Sequence, residues 1–160
     1  MSTTASKRFV IDRSANHCHL SEGDAHIIFG EELNHVSLKP LAIEGEYVTN
    51  LKVCRYTVLY PWREYSQIEV AMSDYYKLFG TYTRRRASGD LGGAERIDVG
   101  GVVIPVIVAE AHVHIAKPSD YELLKNLNFP FHLATKRNFT TDGLSHIHLD
   151  TDQYAAIQGT

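Results

Sequence analysis

Three short stretches place two histidines one residue apart: "NHCHLS" at 16–21, "AHVHIA" at 111–116 and "SHIHLD" at 145–150. Together they take six of the nine histidines in the chain. On a β-strand, side chains at i and i+2 leave the same face about 6.6–6.8 Å apart, close enough for two imidazoles to lean onto one ion at about 2.0–2.1 Å. One such pair is also what a half-exposed strand face produces by chance. Three pairs, each at the end of a strand-like stretch, point instead to a shared metal centre. Each pair also precedes a helix-like start, where unpaired backbone amides and the helix dipole favour anions, so the expected substrate is an oxyanion. Cys18, between His17 and His19, faces away from both on a regular strand and reads as packing.

The elements that must carry these pairs are short. "RFVIDR" at 8–13 reads as a strand leading into the first pair, and Ser21 then caps a helix over "EGDAHIIFG" that Gly30 stops. Residues 46–60 are β-branched and aromatic, hence strand; "SQIEVAM" at 66–72 alternates like another strand, and "SDYYKLFG" reads as a capped helix ending at Gly80. "RRRASGDLGG" has loop composition. Residues 95–115 read as strand up to the second pair, with Pro105 marking an edge or a bulge. Then follow a helix from Ser119 to Leu127, short strands in "FHLATKR" and "LSHIHLD", and a final helix "TDQYAAIQ" capped by Thr151. Strand, histidine pair, capping residue and helix thus form a loose repeat. The expected fold class is α+β, mainly β. It comprises two related small β-barrel-like lobes capped by short helices, residues 1–94 and a truncated 95–160, with the metal site between them.

At 160 residues, 44% apolar and 22% charged, the chain is long enough for a sizeable core. A net charge of −3 gives no reason to expect nucleic acid or an anionic membrane as partner. No apolar run reaches the length of about 18 residues that a membrane span needs, and the N-terminal residues lack the apolar centre of a secretory signal, so a cytoplasmic protein is expected. Two cysteines make no disulfide framework; Cys54 is expected to be a small buried hydrophobe. His26, His35 and His132 stand alone and read as structural or exposed. Glu69 lies among apolar neighbours, where a carboxylate is costly unless paired or metal-bound. Arg63 carries the planar fork that suits phosphate, although a surface ion pair would use it equally.

"NHCHLS", "LKPL" at 38–41, "PWREYSQIEVAMSD" at 61–74, "SGDLGG" at 88–93, "VIVAEAHVHI" at 106–115 and "HLDTDQYAA" at 148–156, in this order, resemble the PduL-type phosphate acyltransferase family. The resemblance implies a zinc enzyme that moves an acyl group between coenzyme A and phosphate, using two ions between two barrel-like lobes. By position, it implies His17, His19, Glu69, His112, His114 and His148 as metal ligands. It also implies Arg63 as the phosphate-binding arginine, with Ser88 beside the substrates. Arg63 and Glu69 are the expected catalytic residues, and Arg63, Ser88 and Arg86 the expected substrate-binding ones. Arg86 enters through the basic run 84–86, which could meet the coenzyme A phosphates or simply be a solvated loop. His146 is left as a group behind the ligands.

Two departures qualify the resemblance. The stretch between His114 and His148 is shorter than the family's second lobe, and Gln153 stands where an acidic residue is common. The stretch before the first strand is too short for an encapsulation helix, so microcompartment association is not expected; a homodimer is compatible with two trimmed lobes. The same residues are open to two other functions. One is a metal-dependent hydrolase that activates water. The other is a non-catalytic metal-binding relative without coenzyme A binding.

Overall fold

A computed structural model describes residues 9–126 apart from 42 and 44, together with 132–133 and 142–158. In chain order the strands and α-helices begin with β1 (Phe9–Ser14), β2 (His17–Ser21), α1 (Glu22–Phe29), β3 (Leu38–Pro40), β4 (Tyr47–Val53), β5 (Tyr56–Arg63), β6 (Gln67–Glu69) and α2 (Met72–Phe79). They continue with β7 (Arg85–Arg86), β8 (Arg96–Val99), β9 (Val102–Ala109), β10 (His112–His114), α3 (Pro118–Asn126), β11 (His132–Leu133), β12 (Ser145–Asp150) and α4 (Thr151–Gln158). A 3-10 helix, Gly30–His35, follows α1. The protein is mainly β with four α-helices among the described residues, as the α+β expectation requires.

Two sheets form. The larger has the order β3-β4-β5-β2-β6-β9-β7 with β8 paired to β9; the smaller has the order β1-β12-β10-β11. Sheet membership crosses the expected boundary at residues 94/95, because β1 pairs with β12 while β9 pairs with β6. Among the described residues the chain changes sheets twice: at Ala15–Asn16, from β1 to β2, and at Glu110–Ala111, from β9 to β10. Residues 95–115 are therefore not one strand. They make the β8–β9 hairpin, a break, and β10 in the other sheet.

Packing follows from period-2 patterning. In β4, Thr49, Leu51 and Val53 are buried while Asn50 and Lys52 are exposed. β2 lies between β5 and β6, so Cys18 and Leu20 join Val58, Ile68, Ile104 and Val108 in the fully buried core. Residues 46–60 are two strands joined by a tight turn at Cys54–Arg55, where Cys54 takes φ 58° and is exposed, not buried as its residue type suggests. The β8–β9 turn is tight in the same way, and there Gly100 and Gly101 meet the positive φ values, 58° and 89°, without steric cost. Pro105 falls opposite Arg96, at the end of the β8 ladder, where a missing N–H does least harm. β7 is formed by Arg85 and Arg86 within a stretch whose composition reads as loop.

Helix ends show what local sequence can and cannot specify. Ser21 caps α1 by accepting from the Asp24 amide at 3.2 Å, and Gly30 and Gly80 end α1 and α2, as expected. The start of α2 is different, since its N-cap residue is Ala71 rather than Ser73 and has no side-chain acceptor. The acceptor comes from α4 instead: Asp152 receives both the Ser73 amide and the Ser73 hydroxyl at 2.9 Å. At the start of α4 the cap is Asp150 rather than Thr151. Asp150 Oδ1 accepts from the Gln153 amide at 2.8 Å, and Gln153 Oε1 accepts from the Asp150 amide at 3.2 Å, which forms a capping box. The strand expected over "SQIEVAM" shrinks to Gln67–Glu69 because the helix claims Met72. Of the strand expected in "FHLATKR", only the backbone of His132–Leu133 lies among the described residues, and Leu127 lies outside them.

The remote cap is testable. Asp152→Ala is expected to lower unfolding free energy by roughly 1 kcal/mol, the usual cost of losing a helix cap. Ser73→Ala, which keeps the amide bond, should cost less. Urea denaturation that places Asp152→Ala at the wild-type midpoint would rule out the remote cap.

Candidate metal centre

In the larger sheet, β2 and β6 run antiparallel with His17 opposite Glu69 and His19 opposite Gln67. This register, not the H-x-H spacing alone, completes a donor set. His17 Nε2 and His19 Nε2 lie 3.0 Å apart, and Glu69 Oε2 lies 3.1 Å from His19 Nε2 and 3.4 Å from His17 Nε2. Ligands around a tetrahedral zinc at about 2.0–2.1 Å stand about 3.3 Å from each other, so the three atoms are spaced as one ion would hold them. His17 Nδ1 donates to the Ala15 carbonyl at 2.8 Å, which fixes the tautomer and leaves Nε2 with its lone pair towards the cluster.

The charges agree with that role. Burial alone would raise the Glu69 pKa, but His17 and His19 outweigh it and hold the carboxylate well below its ordinary range. Burial pushes His19 down to about 4, and the neighbouring His17 adds to this. His17 is raised instead, because the Glu69 carboxylate more than offsets its desolvation. Glu69 is thus ionised and His19 neutral, both states that bind a cation.

The same carboxylate heads a polar chain that reaches the surface. Ser88 Oγ donates to Glu69 Oε2 at 3.2 Å and accepts from Arg63 at 2.9 Å and from Gln67 Nε2 at 2.6 Å. Gln67 also donates to Glu69 at 2.7 Å and accepts from the Gly89 amide at 2.9 Å. Arg63, Ser88 and Glu69, expected to work together, are therefore brought together. Gln67 joins them unforeseen; its signal was the Q-x-E alternation beside an H-x-H strand. Arg86 is placed elsewhere: its buried guanidinium donates to the carbonyls of Asp90 at 3.3 Å and Gly92 at 2.6 Å, holding the loop that carries Ser88.

The smaller sheet repeats the arrangement. β10 and β12 run antiparallel with His112 opposite His148 and His114 opposite His146, so His148 stands where Glu69 stands in the other sheet. His112, His114 and His148 form a second three-residue donor set, with ring centroids 4.7–5.5 Å apart. His148 Nε2 is buried, makes no hydrogen bond and lies 3.3 Å from Asp12 Oδ2. The third pair is therefore split. His148 joins the second, while His146 is held between Asp12 at 2.7 Å and Asp142 at 2.8 Å. Burial would lower His146, but these two carboxylates outweigh it and raise its pKa.

One small cleft is bordered by members of both sets. It is lined by His17 and Glu69 from the larger sheet, by His112 and His148 from the smaller, and by the crossing residues Ala15, Asn16 and Glu110. Arg85 of β7 bonds Asp150 of β12 at 2.5 Å across the sheets at its rim. Cys18 is fully buried with its thiol pushed up to about 12 by burial, in keeping with packing. His26 and His35 are exposed; the His132 side chain lies outside the described residues.

The phosphate propanoyltransferase family profile matches residues 10–129. The phosphate propanoyltransferases of Thermotoga maritima and Clostridioides difficile are 30% and 31% identical to the chain over 128 and 127 residues, covering 71% and 70% of it. The chain spans 60% of the length of each of these two. That of Levilactobacillus brevis is 28% identical over 172 aligned positions, 91% of this chain and 82% of its own length. By the profile over most of its described length and by these relatives, the chain belongs to the phosphate propanoyltransferase family.

Proposed function

We propose that the protein is a zinc-dependent phosphate acyltransferase interconverting acyl-CoA plus phosphate with acyl phosphate plus CoA. Two ions are held, one by His17, His19 and Glu69 and one by His112, His114 and His148. The observation that carries this reading is the shared cleft: both donor sets border it, and the first is wired through Ser88 to an exposed arginine. The same proposal takes the two sheets as parts of barrel-like lobes with the centre between them, in a cytoplasmic protein that can pair as a homodimer.

Zinc at these positions supplies Lewis-acid stabilisation of developing oxyanions and of the departing thiolate. Arg63 offers phosphate a planar, permanently charged fork, and Ser88 steadies that fork by accepting one of its N–H groups. A phosphate oxygen forms the new bond to the thioester carbonyl carbon, the carbon–sulfur bond breaks, and CoA leaves as thiolate. No cysteine is suited to carry the acyl group: Cys18 is sealed in the core and Cys54 sits on an exposed hairpin turn. Direct transfer in a held geometry suffices. Arg86 contributes to substrate binding through the loop it holds, by keeping Ser88 in place.

Zinc-loaded protein should consume an acyl-CoA only when phosphate is supplied. Thioester loss without phosphate would identify a hydrolase, and bound zinc without measurable CoA binding by calorimetry would identify a non-catalytic relative. Arg63→Ala is expected to raise KM for phosphate at least about tenfold, the order of a lost charge-assisted contact, with zinc content unchanged. An unaltered KM would remove Arg63 from the phosphate site.

Proton binding gives a further check. In metal-free protein, His19 sits at about 4 against an ordinary 6.5, so the unfolded chain binds the extra proton and stability falls as pH drops from 6.5 to 4. His17 and His146 are raised, so the stability they contribute is complete below 6.5 and lost as pH rises through their folded values. The urea midpoint of metal-free protein should therefore peak near pH 6.5; a steady climb to pH 9 would contradict these proton states. In the loaded protein, metal should leave as pH falls towards about 5, because ligand imidazoles must be neutral.

A further inference from the structure

We propose that Asp12 is a positioning residue for His148: its carboxylate engages His148 Nε2 and so turns Nδ1 towards the ion held with His112 and His114. The inference rests on reading those three histidines as a metal site, and adds a residue that neither the histidine pairs nor the family match singles out. Strand register creates the contact. β1 pairs with β12 in parallel with Asp12 opposite His148, and β10 pairs with the other edge of β12 with His112 opposite His148. Directly paired residues share a sheet face, so one rung reads Asp12, His148, His112. The imidazole has one nitrogen for each side.

The distances at His146 argue against a further metal site. Asp12, His146 and His148 do form a three-residue donor set of their own. Yet Asp12 Oδ2 lies 2.7 Å from His146 Nδ1, and Asp142 lies 2.8 Å from His146 Nε2. Both are hydrogen-bond lengths, shorter than the spacing of about 3.3 Å between two ligands of one tetrahedral ion. His146 therefore has both nitrogens engaged and acts as a brace that aims Asp12. His146 is almost wholly buried, 2% exposed, so the brace is rigid. A carboxylate behind a metal-bound histidine fixes its tautomer and raises its basicity. Here β1 supplies that carboxylate, so the N-terminal strand, which belongs to the smaller sheet, has a chemical task there as well as a packing one. The larger sheet solves the same problem with a main-chain acceptor, the Ala15 carbonyl behind His17 Nδ1.

The test measures zinc stoichiometry and affinity by competition with a chromogenic chelator, on wild type, Asp12→Ala, Asp12→Asn and Asp12→Glu. Wild type should hold two ions. Asp12→Ala and Asp12→Asn should weaken one of them by about 10- to 100-fold, the usual effect of losing such a partner, and leave the other unchanged. Asp12→Glu should recover part of the loss. Asp12→Asn keeps the shape and an acceptor for His146, so it decides the matter if the alanine variant fails to fold. Unchanged affinity at both sites in folded Asp12→Asn overturns the proposal while leaving the metal centre intact. So does a third ion in wild type that Asp12→Asn lacks, since Asp12 would then be a ligand. Wild type that binds no zinc overturns the metal-centre reading, and this proposal with it.

Discussion

The chain must change sheets immediately before each of two H-x-H strands, and the rest of the site depends on that constraint. Strand β1 ends at Ser14 in the smaller sheet and β2 opens at His17 in the larger; β9 ends at Ala109 in the larger and β10 opens at His112 in the smaller. Each crossing is a break of two residues, Ala15–Asn16 and Glu110–Ala111. Those breaks line the cleft. Each H-x-H strand then meets an antiparallel partner that contributes further polar groups from the same face, Gln67 and Glu69 in one sheet and His146 and His148 in the other. Topology thus generates two similar half-sites bordering one space.

Charge then differentiates the halves. The larger sheet contributes a carboxylate among two histidines, and the polar chain from Glu69 through Ser88 to Arg63 extends this half towards solvent. The smaller sheet contributes three imidazoles and places its carboxylate, Asp12, one step behind. Buried charges in both halves are paired, which is the condition for tolerating them in a core. Contacts across the sheets hold the halves in register: Arg85 with Asp150, and Ser73 with Asp152, both aspartates coming from the "DTD" that follows His148.

Much of this was legible in the sequence because it is local. H-x-H has the period of a strand, Ser21 and the glycines at 30 and 80 punctuate helices, and the ordered motifs identified the family. What was not legible is register and long-range pairing. Nothing local indicates that β1 lies beside β12, so Asp12 went unnoticed. Nothing local indicates that α2 is capped from α4. Arg86 shows the converse, in which a basic run reads as a solvent-facing or ligand-facing set but one member is buried and bonded to loop carbonyls. Cys54 misled because a hairpin turn, not residue type, decides its exposure.

The central claim is that two separate donor sets, one on each sheet, hold two cations bordering the same cleft. An anomalous-difference map collected at the zinc edge from crystals of the zinc-soaked protein tests it most directly. The account predicts two peaks, one within about 2.0–2.2 Å of donor atoms of His17, His19 and Glu69 and one equally close to donors of His112, His114 and His148. A map with no peak at either set, or with its peaks at surface residues away from the cleft, would contradict it.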